Sequence, residues 1–196
     1  MTGRATLRLA NAPRLPFDFG GFADNIALYV GELEELADNM RTQTEETNKL
    51  VVDGTFTAAL DPNKSLGPPA TREAVPYFNF APLKNALRRL QLAADAFGEA
   101  AAAGDASDDE INSLLYTSER LLTRDEGLKG RKWYKHFIYA PGYYTGYGVK
   151  TIPGVREAIE QRDYPEVEPQ IGVAAEVLNR MAERIELLAE RLGKES

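Results

Sequence analysis

From Ile171 to Leu192 the apolar residues Ile171, Ala174, Leu178, Met181, Ile185, Leu188 and Leu192 fall at alternating intervals of three and four, and Gly193 follows the last of them. An α-helix is the local structure that gathers such spacing onto one face, because it turns once every 3.6 residues. The pattern predicts a terminal helix of about 25 residues, roughly 35–40 Å long at 1.5 Å per residue. A seam of that length cannot be left in water. The rest of the chain must therefore supply helices of comparable length to cover it.

Three further stretches answer that need. Phe22, Ile26, Tyr29, Leu33, Leu36 and Met40 step by four and three, with Asp18 placed to cap the helix they define. The pattern weakens through Arg41–Lys49 and resumes at Leu50 and Val51 before Gly54 and a short Phe56–Leu60 segment, which leaves open whether one helix bends here or two meet. A second helix starts near Asn79, with Pro82 tolerated in its first turn, and carries Leu83, Leu87, Leu90, Ala94 and Phe97 before an alanine-rich end at Gly104. A third begins at the capping box Ser107–Glu110 and puts Ile111, Leu114, Leu115, Leu121 and Leu122 on one face. Asp61–Pro76, with four prolines, reads as an irregular connection, and Val155–Arg162 as a short helix before the terminal one. Thr6–Phe17, with two prolines and a short alternating piece, reads as an extended tail or as the end of a strand that would need a partner elsewhere. The expected fold is an all-α bundle of four long helices, joined by connections that allow antiparallel neighbours, with a Pro-rich loop and an aromatic, glycine-rich loop before the last helix.

Several kinds of chemistry are excluded by count. The net charge of −7 leaves no concentrated basic footprint for nucleic acid. No run of 18 apolar residues exists to insert into a membrane, and Met1–Pro16 lacks the apolar centre of an export signal. With no cysteine there are no disulfides or thiolate metal sites. A di-iron bundle needs two Glu-x-x-His motifs, and His136 is the sole histidine. A catalytic zinc ordinarily takes two or three histidines as well. Ser113 and Ser118 have nothing but coexistence to link them to His136. No catalytic residue and no metal ligand is assigned. The carboxylates of Glu32, Glu34, Glu35 and Asp38 read as a solvated helix face.

Trp133–Gly154, WYKHFIYAPGYYTGYGVKTIPG, is the part not explained by helix packing. It holds seven aromatics, four glycines and two prolines. Burying an aromatic ring stabilises by about 1.5–3 kcal/mol, so these rings are expected to lie against something. Trp133, Tyr134, Phe137 and Tyr139 read as packing residues. The glycine-flanked Tyr143–Tyr147 segment is placed to present phenols either to a ligand or to another domain.

The run WYKHFIYAP (Trp133–Pro141), then Tyr147, Pro153-Gly154 and the long terminal helix, resembles the transferrin receptor-like dimerisation domain. LPF at Leu15–Phe17 and NFAPL at Asn79–Leu83 extend the similarity upstream. This is the C-terminal helical domain of glutamate carboxypeptidase II-type zinc metallopeptidases. The resemblance implies a non-catalytic homodimerisation domain over residues 17–196, with residues 1–16 as the linker stub from a peptidase domain outside this chain. The partners it implies are a second copy of the chain and that peptidase domain. It implies no cofactor here, zinc belonging to the peptidase domain, and an extracytoplasmic location, periplasmic or secreted, for the parent protein. In the family a Lys-Tyr pair on the loop after Ala-Pro reaches the substrate pocket, and its tyrosine matches Tyr147, which is the substrate-binding residue implied. The lysine position is Gly146, which cannot offer an ammonium to a glutamate carboxylate; Lys150 lies close by in sequence but outside the matched position. The Arg-Gly-Asp motif of the transferrin receptor is absent. The competing expectation is a stand-alone helical adaptor that binds an unrelated protein through the aromatic stretch.

Overall fold

The seam from Ile171 to Leu192 lies on α7, a helix of 31 residues over Tyr164–Lys194, and all seven of its members are buried. Ala175 and Ala182 are buried as well, which widens the apolar stripe beyond a two-position seam and lets α7 receive neighbours on more than one side. The computed structural model describes residues 2–60, 67–103 and 109–194. Over these the chain forms α1 (Thr2–Ala10), α2 (Phe19–Val52), α3 (Thr55–Ala58), α4 (Ala81–Ala103) and α5 (Asp109–Thr117), then a 3-10 segment, Ser118–Leu122. The hairpin strands β1 (Tyr139–Pro141) and β2 (Val149–Thr151) follow, then α6 (Pro153–Glu160) and α7.

The fold is all-α apart from that hairpin, but it has three long helices among the described residues rather than four. The third expected helix stops early. Thr117 and Ser118 donate their hydroxyls back to the carbonyls of Ser113 and Leu114, at 2.8 and 2.7 Å, and such back-bonding competes with the helical ladder, so the chain tightens to 3-10 at Ser118. The region around Arg41–Lys49 resolves as one unbroken helix of 34 residues. Asp18 caps it, its Oδ1 accepting from the Gly21 amide at 2.9 Å, a cap worth about 1 kcal/mol. Asn79, two residues before α4, accepts from the first amide of that helix, Ala81 N, at 3.0 Å. Residues 2–10 form a helix rather than the extended tail expected from Thr6 onward, because the helix-breaking prolines begin only at Pro13. Ser107 of the capping box, Gly104 and residues 61–66 of the Pro-rich connection lie outside the described residues.

Direction of travel sets where everything else sits. Phe19 packs edge-on against Phe97, 4.9 Å between centroids, and Glu34 pairs with Lys84 at 3.1 Å, so α2 and α4 are antiparallel. Asn79 reaches Glu168 while Arg89 grips Glu186 with two bonds of 2.9 and 2.7 Å, so α4 and α7 run parallel. Parallel neighbours need a return crossing, and residues 110–129 provide it down the flank of α7. The rungs are Glu110 to Arg191, the Leu114 carbonyl to Arg184, the Thr123 carbonyl to Arg180, Arg124 to Glu176, and Lys129 to Asp163 and Glu166. The aromatic hairpin is thereby delivered to the end of the bundle where α7 begins.

The acidic face expected on α2 is largely engaged. Glu32 accepts from Arg156 of α6 at 2.5 Å, Glu34 from Lys84, and Asp38 from Arg41 at 2.5 Å. Arg41 also donates to the carbonyls of Val75 and Pro76, and Asn48 exchanges two 2.8 Å bonds with Arg72, so these side chains of α2 hold the extended run before α4 against the helix.

Candidate functional site

The site is built on the β1–β2 hairpin, paired in the register Tyr139 with Thr151, Ala140 with Lys150 and Pro141 with Val149. Its loop closes on itself: Gly142 N donates to Gly148 O at 2.8 Å and Gly148 N to Thr145 O at 3.2 Å. Gly146 sits at φ 59°, in the left-handed region where an L side chain is strained. A lysine at this position would therefore carry a backbone cost, which is a physical reason for the glycine besides its lost charge. Beyond the hairpin Ile152 holds φ 43°, rare for a β-branched residue, and it is kept there by burial and by its amide donating to Ile138 O at 2.7 Å.

The rings divide by face. Phe137 is buried and Tyr134 is half-buried, as packing residues should be. Trp133 does not fit that reading, being 74% exposed, and Tyr139 is nearly half exposed with its hydroxyl donating to Glu119 at 2.8 Å. That bond favours the neutral phenol and raises the Tyr139 pKa. Tyr143 and Tyr144 meet edge to face at 4.7 Å, both exposed, and Tyr147 stands wholly in solvent at the loop tip. Lys150 is committed to Glu160 at 2.7 Å and is not a free cation beside Tyr147.

Beneath the loop lies a pair of residues that sequence reading passed over. Arg131, 5% exposed, donates Nη2 to Glu157 Oε2 at 2.6 Å and Nη1 to the Pro141 carbonyl. The other oxygen of Glu157 accepts from Tyr143 N at 2.7 Å. The guanidinium is 5.4 Å from the ring centroids of both Tyr134 and Tyr143. Nothing in the sequence links an arginine inside a basic run to a glutamate 26 positions later on a short helix; the only local hint is Gly130, where a Cβ would stand 3.1 Å from the Tyr143 ring. Next to this pair a cavity of about 250 Å³ opens under Tyr143 and Tyr144. Its charges are satisfied internally, since Lys129 bridges Asp163 and Glu166 at 2.7 and 3.0 Å. Gln170 and Lys129 together hold the Glu166 carboxyl below the usual range.

The residues do not suit a metal. Among the described residues no group of three or more His, Asp or Glu is placed to hold one. His136 spends Nδ1 on the amides of Ile138 and Tyr139, each at 3.3 Å, and its Nε2 is buried 3.9 Å from Glu119, beyond hydrogen-bond reach. Ser118 spends its hydroxyl on Leu114. Burial holds the His136 pKa below its ordinary 6.5, against the opposing pull of Glu119. A folded-state pKa below the unfolded value means the unfolded chain binds a proton first, so His136 should cost stability as pH falls through 6.5 toward the lower folded value. The slope from this group should not exceed about 1.4 kcal/mol per pH unit. Urea titrations of the wild type and His136→Gln at pH 7.5 and 5.5 should show the smaller acid loss in the variant; equal losses would contradict it.

The profile of the transferrin receptor-like dimerisation domain matches residues 78–186, more than half of the chain, and takes in α4, the crossing, the hairpin and most of α7. Over 51 residues, 26% of the chain, it is 51% identical to "Probable glutamate carboxypeptidase LAMP1" of Arabidopsis thaliana. Over 157 residues, 80% of the chain, it is 24% identical to "Probable glutamate carboxypeptidase AMP1" of Arabidopsis thaliana. Over 161 residues, 81% of the chain, it is 27% identical to "Probable glutamate carboxypeptidase VP8" of Zea mays. The matches span 8%, 19% and 18% of those relatives. The chain belongs to the transferrin receptor-like dimerisation domain family.

Proposed function

We propose that this chain is the homodimerisation domain of a glutamate carboxypeptidase-like zinc metallopeptidase and that its Tyr143–Tyr147 loop completes the substrate pocket of the parent enzyme. The observation that carries the reading is the family match across the hairpin and α7, in a chain whose relatives are named for full-length carboxypeptidases. Isologous pairing is the simplest use of such a domain, and a stable pair should bury more than roughly 1,000 Å². Zinc and the catalytic groups belong to the peptidase domain of the parent. The parent works outside the cytoplasm.

Tyr147 is the residue proposed to reach substrate, and its position favours that role, since a phenol fully exposed at the tip of a self-closed loop has no packing duty. With glycine at 146 and Lys150 tied to Glu160, the loop offers a hydroxyl without a neighbouring ammonium. Tyr147→Phe in the full-length peptidase should raise KM about tenfold, the discrimination expected for one lost substrate hydrogen bond, with folding unchanged. Unaltered kinetics on every peptide tried would refute the pocket role. A second reading, docking of an unrelated protein, draws on the exposed rings of Trp133 and Tyr144. It predicts instead that Trp133→Ala abolishes capture of that partner.

A further inference from the structure

We infer that the Arg131–Glu157 pair is the positioning element of the aromatic loop. The inference deepens the pocket reading and rests on it for its kinetic consequence alone. Two carboxylate oxygens and two guanidinium nitrogens fix four separate parts of the chain. Arg131 belongs to the turn before the hairpin, the Pro141 carbonyl to the end of β1, the Tyr143 amide to the first half of the loop, and Glu157 to α6. Both side chains are withdrawn from water, at 6% and 12% exposure, so their geometry is not averaged by solvent. The guanidinium also stands 5.4 Å from the ring centroids of both Tyr134 and Tyr143, within cation–π range.

Among the described residues few other bonds hold the loop where it enters from β1. Its other fixed points are the Gly142–Gly148 closure, the Thr145 hydroxyl donating to Gly148 O at 3.3 Å, and the pairing of β1 with β2, whose Lys150 and Thr151 are held to α6 by Glu160 and Arg156. Those bonds close the loop and anchor the strand that leaves it, but none of them ties the entering half, at Pro141 and Tyr143, to the bundle. Arg131 and Glu157 tie it to α6, and α6 packs on α7, the helix at the centre of the core. The pair thus transfers the rigidity of the bundle to a loop whose tip carries Tyr147. Such a group acts through another residue and touches no substrate itself.

Arg131→Lys and Glu157→Gln test this with the fold kept. Lysine retains the charge but lacks the planar fork that lets one side chain donate to Glu157 and to the Pro141 carbonyl at once. Glutamine retains the shape but must set a donor against either Arg131 or the Tyr143 amide. Backbone order parameters measured by NMR on the 196-residue chain report loop motion inside the native state, unaffected by any change in global stability. The expected result is a rigid wild-type backbone at Tyr143 and Gly148, about 0.8, falling below about 0.6 in both variants while α7 stays near 0.85. Unchanged order in both variants, or a wild-type loop already loose at those residues, would overturn the proposal. In the full-length peptidase Arg131→Lys should raise KM about fivefold or more with kcat within about twofold, and adding Tyr147→Phe should raise it little further. A loosened loop with unchanged KM would refute the pocket reading while supporting the positioning role.

Discussion

Glu157→Ala is expected to lower the stability of the domain by about 3–5 kcal/mol, the usual consequence of stripping one partner from a buried ion pair. The residue left behind explains the size. Arg131 is 5% exposed and its Nε has no hydrogen-bond partner among the described residues, so without Glu157 its buried charge keeps the Pro141 carbonyl as its hydrogen-bond acceptor and only the weaker attraction of the Tyr134 and Tyr143 rings. The Tyr143 amide loses its acceptor in the same step. Urea denaturation should show a lower midpoint with an unchanged slope. The double variant Arg131→Met, Glu157→Ala should be more stable than Glu157→Ala alone, because the stranded charge is then gone as well. A double variant at least as unstable as the single would show that stability at this place comes from packing rather than charge. The recovered double variant should still have a mobile loop, since an apolar side chain cannot hold the Tyr143 amide.

Leu178→Ala should cost about 2–5 kcal/mol by a different route. Leu178 is fully buried midway along α7, the helix against which α4 packs. Removing its branch forfeits transfer energy and opens a cavity that two long helices, joined by Arg89 to Glu183 and Glu186, cannot easily collapse around. Leu187, one residue from the seam and 37% exposed, is the control. Leu187→Ala should change stability by no more than about 0.5 kcal/mol, and comparable losses at both positions would contradict the placement of the core on α7.

The elements carried by long periodic patterns were legible in the chain. The stripe on α7 is buried residue for residue, α2 starts at Asp18, and α4 takes Pro82 in its first turn. Periodicity speaks of one face of one helix, however, and not of its direction against a neighbour. The parallel arrangement of α4 and α7 depends on the crossing over residues 110–129, whose rungs join residues some 35 to 80 positions apart. The shortened third helix turns on hydroxyl back-bonding at Thr117 and Ser118, a competition that apolar spacing does not register. At the site, the glycine-flanked tyrosines announced an exposed loop, and Tyr147 is fully exposed. Arg131 and Glu157 were hidden because a charged residue in a basic run and another on a short helix each have an ordinary solvated explanation. Only the fold brings their charges to 2.6 Å. Trp133 was misread for the opposite reason, since a large ring in an aromatic run has a buried explanation that the turn at Gly130–Trp133 does not satisfy.

Self-association is the claim on which the functional reading stands, and the molar mass in solution tests it most directly. Light scattering on the purified chain should give twice the 21.7 kDa of one copy at tens of micromolar, drifting toward one copy only on strong dilution. A mass of 21.7 kDa at every concentration up to about 100 µM, an affinity weaker than about −5.5 kcal/mol, would contradict a self-sufficient dimerisation domain.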